Sequence, residues 1–187
     1  VHRNIRICRK VVVGMKPVRD DVRVSSATVL VRAATFADLP DAAQIIADHR
    51  REKSSDWVER FSLDLADAGR LFLVATIADE VVGFGQARFI EGAADSTESP
   101  PAGWYLSGMT VPASVRRQGI GGALIEARLQ LMAQRTSTVH YLADPANVAT
   151  VSLHAKFGFT MTHRVALESE DVQLDHYQLD LISPQTS

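Results

Sequence analysis

A chain of 187 residues, 46% of them hydrophobic, is long enough to bury a core of its own without disulfide or metal staples. A net charge of −2 gives no sign of nucleic-acid binding, and no apolar run approaches the roughly 18 residues of a membrane span. The lone cysteine, Cys8, excludes an intrachain disulfide or a cysteine-based zinc site and suits a reducing, cytoplasmic setting.

Residues 1–26 hold seven basic side chains against Asp20 and Asp21, leaving 13 basic and 20 acidic residues in the remainder. This arm is expected to be disordered, or to be sequence upstream of a start at Met15; the domain should span 27–182, with 183–187 a tail. Thr28–Arg32 is β-branched enough for a first strand. Asp38 suits the cap of a helix over Asp38–Arg51, where Ala42, Ile45, Ile46 and His49 recur at helical spacing. Lys53–Asp56 is a polar break before a second helix, Trp57–Ala68, with Gly69 past its end. Leu71–Ile77 is a short, bounded apolar run, hence a buried strand, which Ala78-Asp79-Glu80 turns into Val81–Ile90. Glu91–Pro101 is acidic and proline-bearing, a mobile loop. Trp104–Val111 is the fourth strand, Gly119–Arg135 a helix apolar on more than one side, and Val139–Ala143 the fifth strand. Asn147 opens a helix that Gly158 closes, and Phe159–Val165 pairs antiparallel with Val172–Leu181. A helical crossover joins parallel strands, so the fourth and fifth should form one parallel pair inside an otherwise antiparallel sheet. The class is α/β (α+β), a mixed, mostly antiparallel sheet of six or seven strands with about four helices.

Arg116-Arg117-Gln118-Gly119-Ile120-Gly121-Gly122 lies where the fourth strand hands over to the long helix. The first amides of a helix lack intrahelical partners, and the helix dipole adds positive charge there. Glycines let a phosphate approach those amides, and neighbouring guanidiniums add charge-assisted bonds. The expected guest is the pyrophosphate of a nucleotide-containing cofactor. A Walker A loop would end in Gly-Lys-Ser/Thr, and a dinucleotide fingerprint would need a third glycine where Leu124 stands.

The spacing Arg116-x-x-Gly119-x-Gly121 resembles the Gln/Arg-x-x-Gly-x-Gly/Ala signature of the GNAT acetyltransferase superfamily. Asn147-x-x-Thr150-x-x-Leu153-His154-Ala155-Lys156-Phe157-Gly158-Phe159 resembles its second signature, with Thr150 in place of a small apolar residue and His154 in place of a tyrosine. Leu153-His154 is similar to the phosphinothricin-type acetyltransferases of that superfamily. The resemblance covers about Val29 to Asp180 and implies a GNAT fold whose central parallel pair splays. It implies acetyl-CoA as co-substrate. Met109, Thr110 and Val111 would meet pantetheine, while Arg116 and the amides of Arg117, Gln118, Gly119, Ile120, Gly121 and Gly122 would hold the pyrophosphate.

Acetyl transfer to an amine needs an unprotonated nitrogen, a polarised carbonyl and a route for the departing thiolate. By the resemblance His154 stands at the place of the family's acid; it could donate to the thiolate, hold a water there, or be a helix histidine packed at the sheet margin. Asn147 caps its helix and could also bond the pantetheine or a water. Glu91, Asp95 and Glu98 could draw a cationic amine, and Trp57, Trp104 and Tyr105 could line the acceptor pocket. No His, Asp or Glu spacing suggests a metal. The expected partner is a small-molecule primary amine, with no nucleic acid or membrane and with a homodimer allowed. A silent acyl-CoA-binding sensor on the same fold is the alternative, and a protein-modifying acetyltransferase, which would need an open groove, a third reading.

Overall fold

Successive residues of a strand face opposite ways, so an uninterrupted apolar run such as 71–77 calls for cover on both faces of its sheet. The computed structural model describes residues 28–92, 99–167 and 172–181, and supplies that cover. The basic arm, the C-terminal tail, Asp95 and Glu98 lie outside the described residues. In chain order come β1 (Leu30–Ala33), α1 (Leu39–Arg50), α2 (Ser54–Ala66), β2 (Arg70–Ile77), β3 (Glu80–Ile90) and β4 (Gly103–Thr110). They are followed by α3 (Ile120–Met132), β5 (Thr138–Ala143), α4 (Val148–Ala155), β6 (Thr160–Leu167) and β7 (Val172–Asp180). The strands form one seven-stranded sheet in the order β1-β2-β3-β4-β5-β7-β6. Among the described residues, only β4 and β5 pair in parallel, and β6 and β7 pair antiparallel. The mixed α+β fold is as expected.

From β2, Phe72 and Val74 join Phe84 and the inner faces of α1 and α2 (Leu39, Ala43, Ile46, Trp57, Phe61) in one core. Leu73 and Ala75 point the other way, onto Ile120, Leu124 and Ala127 of α3. Further along, Ile125 and Met132 of α3 pack with Leu106, Val139, Tyr141, Phe159 and Tyr177. Among the described residues, no helix is long and apolar enough to cross a membrane.

Two helix starts differ in detail from expectation. Asp38 ends a 3-10 turn (Phe36–Asp38) and stands at the N-cap position of α1 as expected, but its side chain bonds no α1 amide: its carboxylate is held by Arg32 at 2.6 and 2.7 Å and by Thr35. The segment read as a polar break is instead the first turn of α2, which begins at Ser54; Ser-Ser-Asp is what a helix N-terminus tolerates well.

Two local features position the site. Gly85 pairs with Met109 but Gln86 with Ser107, which leaves Gly108 as an extra residue, a β-bulge in β4. Gly108 has φ of 41°, and a Cβ there would sit 2.6 Å from Gln86 Oε1, so only glycine fits without strain. The parallel register runs only through Trp104↔Val139, Tyr105↔His140 and Leu106↔Tyr141. From Ser107 onward β4 has no partner on its β5 side among the described residues, and the two strands part.

Candidate active site

Below this parting lies Arg128, on the covered face of α3 and only 1% exposed. Its Nε donates to Leu124 O, its Nη1 to Gln86 O (2.9 Å) and Ser107 O (3.3 Å), and its Nη2 lies 3.2 Å from Met109 Sδ. A bulge interrupts the ladder and leaves strand carbonyls without amides, and buried carbonyls need donors. The guanidinium supplies them on both sides of Gly108. No carboxylate among the described residues is paired with it, and burial pushes its pKa down to about 9. The sequence reading passed over Arg128, because a basic residue on a helix ordinarily faces water.

After β4 the chain makes a short 3-10 turn and then enters the glycine segment. Arg117 adopts a left-handed conformation (φ 64°), and Gly119 another (φ 84°), delivering the chain into α3. A side chain held at positive φ costs on the order of 1 kcal/mol or more and marks an imposed geometry. The first amide of this segment with an internal partner is Ala123, bonded to Gly119 O. No acceptor among the described residues meets the amides of Gly119, Ile120, Gly121 and Gly122. They open on a cleft of about 720 Å³.

Met109, Thr110, Val111, Arg116, Arg117, Gly119, Ile120, Gly121, Gly122 and Asn147 all line this cleft; Gln118 stands outside it, exposed. Arg116 turns back, its Nε donating to Val111 O at 3.0 Å, so part of its donor set is engaged within the turn. The cleft also takes in Ala149, Thr150 and Leu153 from α4, Lys156 just past its end and His49 from α1, none of which had been singled out for it. Asn147 caps α4, its Oδ1 accepting from Thr150 N at 3.2 Å, and no acceptor among the described residues meets its amide nitrogen.

Three placements were open for His154, and the structure shows it buried. It is 4% exposed and does not line the cleft. Its ring stacks on Tyr141 at 4.1 Å, meets Phe159 edge-on, and places Nδ1 2.9 Å from Thr150 O. Burial pushes its pKa down to about 4, partly opposed by the Thr150 carbonyl and reinforced by the Arg128 charge. This placement is the one expected of a helix histidine packed at the sheet margin.

On the other side of the bulge, a second cavity of about 330 Å³ lies between α1, α2 and the sheet. Ser107 and Gly108 form part of its lining, whereas the next residues, Met109 and Thr110, line the first cleft. Trp57 lines this cavity, its Nε1 donating to Glu52 at 2.8 Å. Trp104 and Tyr105 do not. Tyr105 is buried and stacked on His140, with its hydroxyl donating to Pro101 O, and Trp104 packs against Phe89 and Arg135. Glu91 is exposed just past the end of β3 and lines neither cavity. The second cavity also holds Arg50, Arg60, Asp64, Arg70, Gln86 and Arg88, which the sequence reading had not brought together. Asp64 is engaged, accepting from Gln86 Nε2 at 2.9 Å and paired with Arg70 at 2.9 Å.

Comparison with known proteins gives a consistent picture. Residues 36–159 match the family model described as Acetyltransferase (GNAT) family. No curated protein sequence matches the chain. Among solved structures, the chain is similar to an uncharacterised protein from Bacillus halodurans (16% identity, 82% of this chain, 84% of that one, TM-score 0.67). It is also similar to a ribosomal-protein-alanine N-acetyltransferase from Brucella melitensis (21% identity, 81% and 99%, TM-score 0.65). A third similar structure is an aminoglycoside acetyltransferase in complex with coenzyme A (20% identity, 82% and 95%, TM-score 0.65). At such identities the structural likeness speaks to the fold.

Proposed function

The chain belongs to the GNAT acetyltransferase family and is an acyltransferase, and from that premise we propose that it moves an acetyl group from acetyl-CoA to the primary amine of a small molecule. The observation that carries this reading is that two cavities abut consecutive residues of β4 at its bulge, one lined by Ser107–Gly108 and the other by Met109–Thr110. Reactants entering from opposite sides would meet there, and holding them together removes much of the entropic barrier.

The residues present fit the co-substrate. Four unpaired amides at a helix start, two adjacent guanidiniums and Lys156 make an anion site suited to a diphosphate. Acetyl-CoA brings the activated acyl group as a thioester. The unpaired stretch of β4 offers backbone groups to an extended amide chain, as a sheet edge does to a peptide. Amides fixed at the bulge can donate to a carbonyl oxygen as it gains charge. Nitrogen attacks the carbonyl carbon as the carbon–sulfur bond breaks. A thiolate with pKa near 8.5 leaves with little help, so a buried His154 is no obstacle. The ammonium proton goes to water, because Asp64, the carboxylate lining the acceptor cavity, is already paired with Arg70. A cavity of about 330 Å³ is of the size that takes a small amine.

The test is free-thiol release from acetyl-CoA across a panel of amines, with Gly121→Glu as the control for the cofactor site. A Cβ at Gly121 would already press on Leu153 at 3.2 Å, and a carboxylate would oppose the diphosphate. Acetyl-CoA binding by calorimetry should be abolished in this variant while its fold, followed by circular dichroism, persists. Intact binding would refute the placement of the diphosphate, and binding without amine-stimulated release in the wild type would refute transfer to a small amine.

A further inference from the structure

The acceptor cavity has an unusual charge balance. Among the described residues, four arginines (Arg50, Arg60, Arg70 and Arg88) line it against one acidic side chain, Asp64. Arg70 accounts for that carboxylate at 2.9 Å and also lies 3.3 Å from Asp67. The other three have no carboxylate partner among the described residues. Two of them share one aromatic ring: the guanidinium carbons of Arg50 and Arg60 lie 5.3 and 4.9 Å from the centre of the Trp57 ring. That ring is pinned through its N–H by Glu52. Like charges gathered on one aromatic platform repel one another, and a guanidinium stacked on a ring keeps its N–H fork free for an anion.

The geometry points to an acceptor that carries an anionic group, a carboxylate or a phosphate, beside its amine, with Arg50, Arg60 and Arg88 receiving that group. This rests on the acceptor reading above and gives it a substrate class. The amine end lies toward Ser107 and Gly108, next in the chain to residues that line the cofactor cleft, and the acidic end toward the arginines. A purely cationic amine would meet uncompensated positive charge on the same walls. The three residues select and position the acceptor; none of them enters the bond-making step.

The experiment compares amines of matched length that end in a phosphate, a carboxylate, a hydroxyl or a second amine, across a series of chain lengths, with acetyl-CoA and the full chain. The acidic acceptors should exceed the hydroxyl analogue in kcat/KM by about tenfold or more, mainly through KM, and the diamine should be poorest. Whether phosphate or carboxylate leads identifies the acidic group. In Arg60→Ala and Arg88→Ala the ratio of acidic to neutral acceptor should fall toward one, and Arg88→Lys should recover part of it. Equal use of neutral and acidic amines, preference for the diamine, or a ratio untouched in every variant would overturn the inference. Calorimetric titration of the same compounds into protein saturated with coenzyme A separates this outcome from failure of the enzymatic reading. If no amine is acetylated, tighter binding of the acidic compound, lost in Arg88→Ala, still upholds the site; no difference in binding removes it.

Discussion

At the scale of single residues, the site depends on two buried basic side chains with opposite behaviour. Arg128 stays a cation with no paired carboxylate among the described residues because it serves three acceptors around the bulge. Arg128→Leu leaves the carbonyls of Gln86 and Ser107 unpaired at about 1 kcal/mol or more each, so a loss of about 2 kcal/mol is expected by denaturant unfolding. Arg128→Lys should restore little, since an ammonium cannot span acceptors on two strands as a planar fork does. His154 behaves as a neutral wedge against Tyr141. Its folded pKa of about 4 lies below the ordinary 6.5, so the unfolded chain takes up its proton first as pH falls. At pH 8 the residue adds no pH-linked cost; at pH 5 it costs about 2 kcal/mol. His154→Phe should therefore gain stability relative to wild type at pH 5 but not at pH 8, with turnover at pH 8 little changed. A collapse of turnover in this variant with acetyl-CoA affinity retained would return His154 to the chemistry.

At the scale of elements, β4 and the turn after it do most of the positioning. Gly108 sits at positive φ with its missing Cβ against Gln86, and Gln86 in turn holds Asp64. Gly108→Ala should cost about 1–2 kcal/mol through the backbone and move Gln86 off Asp64. Its kinetic mark should be a raised KM for the amine with acetyl-CoA affinity nearly unchanged; the reverse pattern would show that the bulge serves the cofactor side instead. Elements were legible where one local rule governed them. The apolar run 71–77 had to be a buried strand, Asn147 caps α4, and Gly158 follows it at φ 92°. Asp38 misled only in its side chain, because a good capping carboxylate found a stronger partner in Arg32 across six residues of chain. Ser54–Asp56 misled because polar first turns and polar loops look alike without their helix.

At the scale of the whole molecule, acid should be its weakness. His154 is joined by His176, pushed down to about 4 by burial and by the neighbouring His140 and His163, and by His140, which burial also lowers against the pull of Asp180. Each lowered histidine removes about 1.4 kcal/mol per pH unit between the unfolded and folded pKa values. Unfolding free energy should thus decline steeply from about pH 6.5 towards 4, and a flat profile over that range would contradict neutral burial of the three rings. The cofactor cleft was legible because its turn is contiguous in sequence; the acceptor cavity was not, because Arg50, Arg60, Asp64, Gln86 and Arg88 come from three separate elements that only the folded sheet gathers. The divergence of β4 from β5 after Leu106 has one more consequence. A sheet split at its centre is a structure with a rung missing, and whatever amide-bearing molecule fills the gap becomes part of the scaffold. Loading should then raise the melting temperature beyond what affinity for the diphosphate alone would give, and a fragment bearing the pantetheine arm without its nucleotide should retain a share of that gain.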